Sequence, residues 1–490
     1  MRRRIAVALA VSGLVVACST QVDRVTVGPT AATPETAATG TADSTPGAPA
    51  TTTPPSTTLA PAPMAKAITD APAVQVAGAR TEQAYDAFVA QVILDLDSFW
   101  VTTYPAIARG GTYEPLERGV WPVWTEAEGV PGCGGERRTS YPEIEDNAFY
   151  CPDEDFIAFD DELLFPRLED DFGRYTVAMV LAHEWGHAIQ ARLGSSLPGV
   201  ITELQADCFA GSWMDRVRDG GAAGLQLTDP DLRLAITGIL EFRDSPGTSA
   251  DDEGAHGSAF DRLGSFQDGL EGGARACEAY AASPPVVLEL PFNDLTDAST
   301  QGDMPLETLV SSVPADLDRF WGALLERAGA AFGGLSRTVQ SYPAGGPYPQ
   351  CGGLTTSDFE QGVVYCPSPE FVAYELGGAN ARLHTTIGDF SVGVLFADRW
   401  AEAVQRRLGL GTEGGPAALQ RDCLTGVWVE DVVPRPTRQQ EFNISPGDLD
   451  EAVRTYLLFT EDAQESAEAA LARIGSFRSG VVTGLESCGL

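Results

Sequence analysis

His183, Glu184 and His187 have the spacing H-E-x-x-H, inside an apolar stretch with the pattern of a helix. Because residues four apart lie on one face of a helix, both imidazoles can bind the same zinc ion. Glu184 would then lie beside the metal, where a carboxylate can take a proton from bound water. The motif therefore predicts a zinc site that activates water. The alternative is that two histidines merely lie on a buried helix face.

Two acidic residues downstream can complete such a site. Hydrolytic zinc sites have three protein ligands and keep the fourth position open, so Glu203 is the predicted third ligand. Asp207, one helical turn later, is predicted to hydrogen-bond a ligating histidine and fix its tautomer. Each has an alternative. Glu203 could be a carboxylate favoured by a helix N-terminus, and Asp207 could make a purely structural hydrogen bond.

Two helices must position these side chains. The first is predicted from near Phe172 to Leu193, with Gly194 as its C-terminal cap. Thr202 and Gln205 predict a capping box that opens the second helix. Spacing of four defines two stripes on the first helix, a core-facing one (Val177, Leu181, Trp185, Ile189) and one with both histidines (Met179, His183, His187, Ala191).

The chain also repeats itself. An offset of 215 positions (365 − 150) places Tyr150-Cys151-Pro152 on Tyr365-Cys366-Pro367, and many other residues agree at similar offsets. We therefore predict two similar domains in tandem, residues 81–284 and 285–490. Each has the composition of a mainly helical α+β unit.

The second copy lacks the candidate metal residues. Asp422 matches Asp207, but the other positions differ: His183 falls on Asp398, Glu184 on Arg399, His187 on Glu402 and Glu203 on Ala418. Joint loss of these residues is expected if they form one site. The sequence thus predicts one zinc ion per chain, bound by the first domain alone.

Eight of the nine cysteines divide between the two copies. Since 105 pairings are possible, the repeat favours the local choice within each copy. An exported, oxidising location fits such bridges, and each would stabilise by roughly 2–4 kcal/mol. The alternative, a cysteine metal site, lacks the usual Cys-x-x-Cys spacing. The predicted disulfides are Cys133–Cys151, Cys208–Cys277, Cys351–Cys366 and Cys423–Cys488.

The N-terminus has the pattern of an export signal. Residues 1–17 combine three arginines with an apolar run too short to span a bilayer comfortably. Their end resembles the lipobox of bacterial lipoproteins, which implies lipidation of Cys18. The alternative is ordinary cleavage with a free Cys18. Residues 18–80 are rich in Thr, Ala and Pro and are predicted to be a disordered linker. We expect a protein anchored outside the cytoplasm on a bacterial cell membrane.

The formal charge of −37 argues against a nucleic-acid partner, because a polyanion would be repelled. The acidity could equally serve only to keep an exported protein soluble.

The combination H-E-x-x-H and E-x-x-x-D resembles the gluzincin peptidases, and the wider pattern is similar to the bacterial neutral zinc metallopeptidase family. The resemblance covers roughly residues 85–283 and implies a zincin-like domain acting on peptide or protein substrates. By position it implies His183, His187 and Glu203 as zinc ligands and Glu184 as the base. Two departures are the degenerate second copy and the segment Glu241–Asp244, where a more acidic pair is expected.

His256, in a glycine-rich loop, is the predicted donor to the oxyanion that develops on a scissile carbonyl. It could instead be an exposed loop histidine, and Tyr150 or Tyr175 could serve in its place. Two other functions stay open. One is a catalytically inactive scaffold or binding lipoprotein, and the other is a zinc hydrolase that cuts another type of bond.

Overall fold

The computed structural model describes residues 64–134, 138–252, 254–292, 294–433, 442–459 and 466–490. The export signal, Cys18 and the linker as far as residue 63 lie outside this part of the chain. The described residues form a mainly helical structure with two small sheets, as the α+β class predicts. None of the helices in these ranges combines the length and the apolar composition needed to cross a bilayer.

The first half contains six helices and three strands among the described residues. In chain order they are α1 (Asp86–Ile107), β1 (Gly119–Val123), β2 (Ala148–Cys151), β3 (Phe156–Asp160), α2 (Leu164–Phe172), α3 (Arg174–Leu193), α4 (Gly199–Arg218), α5 (Asp229–Glu241) and α6 (Ala259–Glu278). The sheet order is β1-β3-β2, with β1 parallel and β2 antiparallel to β3. Ile157 of β3 therefore lies between Val120 and Tyr150.

Helix α3 runs through the core of the first half. All four residues of the predicted core-facing stripe are buried, and the Trp185 indole donates to the Tyr113 hydroxyl at 3.0 Å. The helix ends where predicted, because Gly194 adopts the left-handed conformation (φ 62°) that a side chain disfavours. A rigid, buried helix thus carries the H-E-x-x-H motif.

The second half has the same succession of elements, with two short helices added. They are α7 (Leu295–Ser299), α8 (Leu306–Arg327), β4 (Val339–Pro343), α9 (Thr356–Phe359), β5 (Val363–Pro367), β6 (Glu370–Leu376), α10 (Gly378–Thr386), α11 (Asp389–Leu408), α12 (Gly415–Val432), α13 (Asp448–Leu458) and α14 (Ala467–Thr483). Its sheet order, β4-β6-β5, repeats the parallel and antiparallel pairing of the first sheet.

The two halves contact each other through α5 and α6 on one side and α13 and α14 on the other. Asp450 of α13 accepts the Phe260 amide at the start of α6 (2.9 Å). Asp229 of α5 accepts the Ala467 amide at the start of α14 (2.7 Å). Each half therefore caps a helix of the other, in the reciprocal manner of an isologous dimer interface.

The four predicted cysteine pairs all lie at disulfide distance. Cys208–Cys277 joins α4 to α6 where glycines let the two backbones touch. A Cβ on Gly211 would lie 2.0 Å from the Phe266 carbonyl oxygen, and one on Gly269 would lie 1.8 Å from the Cys208 carbonyl oxygen. Only hydrogen fits at these two positions.

Residues 64–80 pack on the first half, which corrects the predicted linker boundary at residue 80. Ile68 is buried, and Val74 forms a β-bridge with the first strand. Arg80 pairs with the buried carboxylate of Asp161 at 2.5 Å. The few apolar and charged residues of this segment find partners only on the folded domain, so local composition did not reveal their order.

Two helix boundaries also differ from the prediction. Phe172 ends α2, and Gly173 (φ 78°) separates that helix from α3. Helix α4 begins at Gly199, and Thr202 lies inside it with its hydroxyl donating to the Leu197 carbonyl (3.1 Å). The predicted capping box is therefore wrong, because the helix begins almost a turn earlier.

Replacing Gly211 with alanine should lower the free energy of unfolding by about 1–3 kcal/mol, because the new methyl group meets backbone rather than a movable side chain. The matched control is Gly322→Ala in α8, where no atom lies within 4 Å of the added Cβ. That change should be neutral or stabilising by up to about 1 kcal/mol. Denaturant unfolding of both variants measures the difference. A Gly211→Ala protein as stable as the control would contradict the close contact.

Candidate metal centre

Helices α3 and α4 approach most closely beside the H-E-x-x-H motif. Gly186 lies within the motif, and a Cβ there would be 2.8 Å from Ala206 Cα on α4. This contact brings Glu203 and Asp207 on α4 opposite the histidines on α3. The missing side chain of one residue thus sets the distance between the two halves of the candidate site.

Three potential ligand atoms converge at this contact. The Nε2 atoms of His183 and His187 lie 3.1 Å apart, and Glu203 Oε2 lies 3.2 Å from the first and 3.5 Å from the second. In a tetrahedral zinc site with bonds of 2.0–2.1 Å, ligand atoms stand about 3.3–3.4 Å apart. The triangle therefore has the size that a zinc ion requires, with nitrogen and oxygen donors of the usual kinds.

Each histidine is oriented by an oxygen at its other ring nitrogen. Asp207 Oδ1 lies 2.8 Å from His183 Nδ1, and Gln190 Oε1 lies 2.9 Å from His187 Nδ1. Gln190 is held in turn, because its amide donates to the Thr202 carbonyl at 2.6 Å. Protonated Nδ1 atoms leave both Nε2 lone pairs free to bind a metal.

The Asp207 carboxylate is held by an ion pair with Arg262, at 2.8 and 2.9 Å. Gln190 and Arg262 were not assigned roles from the sequence. Their only sequence signal was recurrence, since Gln405 and Arg473 occupy the matching positions. Recurrence in a copy without the histidines indicates packing, and only the distances reveal that both residues support the imidazoles.

Charge within the cluster shifts all four groups. Burial alone would lower the pKa of His183, but Asp207 and Glu203 outweigh it and raise that pKa to about 10. The pKa of His187 is also raised, since Glu203 outweighs burial. Burial would raise the pKa of Glu203, yet the two histidines hold it well below its usual value. A divalent cation would compete with protons for the same Nε2 atoms.

Asp207 differs from its counterpart in the second half. Burial acts to raise the pKa of Asp207, but Arg262 and His183 together lower it to about 2. Asp422 forms the matching ion pair with Arg473, at 2.9 and 3.0 Å, yet burial raises its pKa to about 7. The same ion pair thus supports a histidine in one half only.

A cavity of about 590 Å³ opens beside the cluster. Glu184 is buried, with 7% of its surface exposed, and it borders this space. Five of the residues predicted from the sequence line the cavity, namely His183, Glu184, His187, Glu203 and His256. Its apolar lining was not predicted, because it comes from separate elements: Phe149, Met179, Val180, Ile239, Phe242 and Phe266.

His256 reaches the cavity from the loop before α6, and its Nδ1 lies 3.6 Å from Asp244 Oδ1. The two tyrosine alternatives are placed differently. Tyr150 lines the cavity, with its hydroxyl donating to Asp155 at 2.8 Å. Tyr175 packs edge-on against Phe88 and does not belong to the lining residues.

Arginines neutralise the corresponding place in the second half. Asp398, which matches His183, lies 2.6 Å from Arg399 Nη2 and 3.1 Å from Arg421 Nε. Arg399 Nη1 also lies 3.7 Å from the carboxylate of Glu402, which matches His187. Gln405 keeps the contact of Gln190, donating to the Ala417 carbonyl at 2.9 Å. Protein cations here replace the positive charge that a metal would supply.

The chain is similar to curated proteins over part of its length. An uncharacterized protein of Mycobacterium tuberculosis is 29% identical over 162 residues, covering 28% of this chain and 55% of the relative. The uncharacterized protein YpfJ of Escherichia coli is 28% identical over 178 residues, covering 31% of this chain and 58% of the relative. The chain thus spans little more than half the length of these relatives. No family model and no solved structure matches it.

Asp207→Asn should lower zinc affinity by about 10–100-fold, because His183 loses the negative charge that orients its ring and raises its basicity. Asp422→Asn is the matched control, since it breaks the same type of buried ion pair in the half without histidines. Its zinc affinity should equal that of the unchanged protein. Competition titration against a chromophoric chelator measures both. Equal loss in the two variants would make the role of Asp207 purely structural.

Proposed function

We propose that the first half is a zinc-dependent peptidase domain of the zincin type, with one zinc ion bound by His183, His187 and Glu203. The observation that carries the proposal is the triangle of Nε2, Nε2 and Oε2 atoms, 3.1–3.5 Å on a side. The wider cavity supports it, because a second carboxylate, Glu184, borders the same space. The H-E-x-x-H resemblance is consistent with both features.

The residues around the cavity divide the chemistry between them. When bound, zinc supplies Lewis acidity that polarises a carbonyl and makes water a stronger acid. Glu184 accepts a proton from the attacking water and passes it to the leaving amine. His256 donates a hydrogen bond to the carbonyl oxygen as negative charge develops there. Asp207 and Gln190 keep the histidine rings in position throughout.

A peptide is the substrate that the cavity suits best. Strand β2 is an edge of the first sheet, and its residues Ala148, Phe149 and Tyr150 border the cavity. An extended peptide can add to such an edge through backbone hydrogen bonds. The apolar lining would then accept side chains next to the cut bond. Nucleic acid is disfavoured by the formal charge of −37.

The second half is, in this proposal, a degenerate copy of the peptidase domain that binds no zinc at the matching position. Its support is the shared order of helices and strands together with the replacement of the ligands by Asp398, Glu402 and Ala418. The ion pairs of Arg399 and Arg421 with Asp398 occupy that place. A lipid anchor at Cys18 and an extracytoplasmic location complete the proposal, and four disulfides accord with an oxidising compartment.

Glu184→Gln should lower kcat/KM by at least about 100-fold, because the amide cannot accept the proton of the attacking water. Zinc content should stay at one ion per chain. Turnover of a peptide library and metal analysis of the same preparation provide the two measurements. Glu402→Gln in α11 is the matched control and should keep both zinc and turnover. Unchanged turnover in Glu184→Gln would remove the assigned base.

The same measurements separate the remaining functions. A protein without zinc and without peptide cleavage would be a scaffold or binding lipoprotein. A protein with zinc that cuts another class of bond would show chelator-sensitive hydrolysis of other substrates alone. Only chelator-sensitive peptide cleavage by the unchanged chain agrees with the proposed activity.

A further inference from the structure

Four carboxylates of the second half meet at the start of α11, away from the candidate zinc site. Asp303 precedes α8, and Asp389 is the first residue of α11. Asp448 and Glu451 lie in the first turn of α13. One carboxylate oxygen from each of Asp303, Asp389 and Glu451 lies within 4.8 Å of the other two. Asp389 and Asp448 are 2% exposed and Glu451 is 8% exposed, so water screens these charges poorly.

Backbone amides fix one oxygen of three of these carboxylates and leave others unused. The hydrogen bonds run from Met304 N to Asp389 Oδ2 (2.9 Å), from Phe390 N to Glu451 Oε2 (2.7 Å) and from Ser445 N to Asp448 Oδ2 (2.8 Å). Among the described residues, Asp389 Oδ1 and Asp448 Oδ1 are buried without a hydrogen-bond partner. Buried polar atoms without a partner are rare, and an unmodelled ion is one of the usual reasons.

The surroundings supply little positive charge. Burial, and then the charges of Asp389 and Asp303, raise the pKa of Glu451 well above its usual value. Burial and neighbouring carboxylates raise the pKa of Asp448 in the same way. His384 lowers the pKa of Asp389 against these effects, but its Nε2 is bonded to the Met304 carbonyl at 2.8 Å. The repulsion among the carboxylates therefore calls for a proton or a cation.

The backbone is shaped to admit the cluster. Gly388 has φ 134°, and a Cβ there would lie 2.0 Å from Glu451 Oε1. A glycine in this conformation lets the chain pass directly against a carboxylate. Asp303 is partly exposed, which leaves a path from solvent to the buried oxygens.

We propose that Asp303, Asp389 and Glu451, with Asp448 beside them, bind one hard divalent cation, which we infer to be calcium. The donors are all oxygens, which calcium and magnesium prefer and which zinc uses less often than nitrogen or sulfur. An ion between oxygens up to 4.8 Å apart lies about 2.4 Å from each, within the range of calcium–oxygen bonds and beyond that of magnesium.

This calcium site is not a remnant of the zinc site. The residue of α11 that matches His183 is Asp398, nine positions (398 − 389) beyond Asp389. That spacing is about 13 Å along a helix. Asp389 itself matches Arg174 of the first half, so no acidic counterpart exists at that position there. The two sites are therefore separable by mutation.

Calcium chloride added to the full, metal-stripped chain should raise the unfolding temperature in a saturable way, with magnesium chloride much less effective. Asp389→Asn should weaken calcium binding at least about tenfold, because the site loses one of its charged ligands. The same variant should unfold above the unchanged protein in a calcium-selective chelator, because repulsion among the carboxylates is relieved. It should unfold below the unchanged protein in saturating calcium. This reversal of order is the expected signature of a cation site.

Controls keep the test independent of folding defects and of the zinc site. Asp303→Asn, at the partly exposed ligand, replaces Asp389→Asn should the latter fail to fold. Glu307→Gln, an exposed acid of α8, should leave the calcium response unchanged. His187→Gln should also keep it, whatever becomes of peptidase activity. Calorimetric titration that detects no calcium binding at millimolar concentration would assign the cluster to shared protons and overturn the proposal.

Discussion

The close approach of α3 and α4 at Gly186 is the constraint on which the candidate centre depends. With only hydrogen at Gly186, Ala206 of the facing helix can come within contact distance, and Glu203 is carried to the two histidines. The disulfide between α4 and α6 fixes the far side of the same helix. A ligand set drawn from two helices needs such rigidity, because a shift of even 1 Å would spoil the coordination distances.

The two halves show how one frame can hold opposite electrostatics. In the first half, carboxylates face imidazoles, an arrangement that a divalent cation can complete. At the matching place in the second half, arginines already neutralise the acids. The buried pairs Asp207–Arg262 and Asp422–Arg473 are common to both, so they belong to the frame rather than to the chemistry. The reciprocal caps between the halves join the two frames into one structure.

Much of the fold followed from local pattern. The helix carrying the motif, its end at Gly194, the mainly helical class and all four disulfide pairs were predicted correctly, since each depends on short-range periodicity, a positive φ or the repeated cysteine spacing. The order of residues 64–80 and the start of α4 were missed. Both depend on contacts with distant parts of the chain, which override local propensity.

By itself, the sequence determined which residue types stand in ligand spacing, since H-E-x-x-H on a helix places His183 and His187 on one face whatever surrounds them. Only the tertiary structure decided that Glu203 reaches them, that Gln190 supports His187, and that aromatic and aliphatic residues from separate helices enclose a cavity. It also brought together the four carboxylates at the start of α11, which are scattered in the chain. Distances between helices arise from packing, which no local pattern encodes.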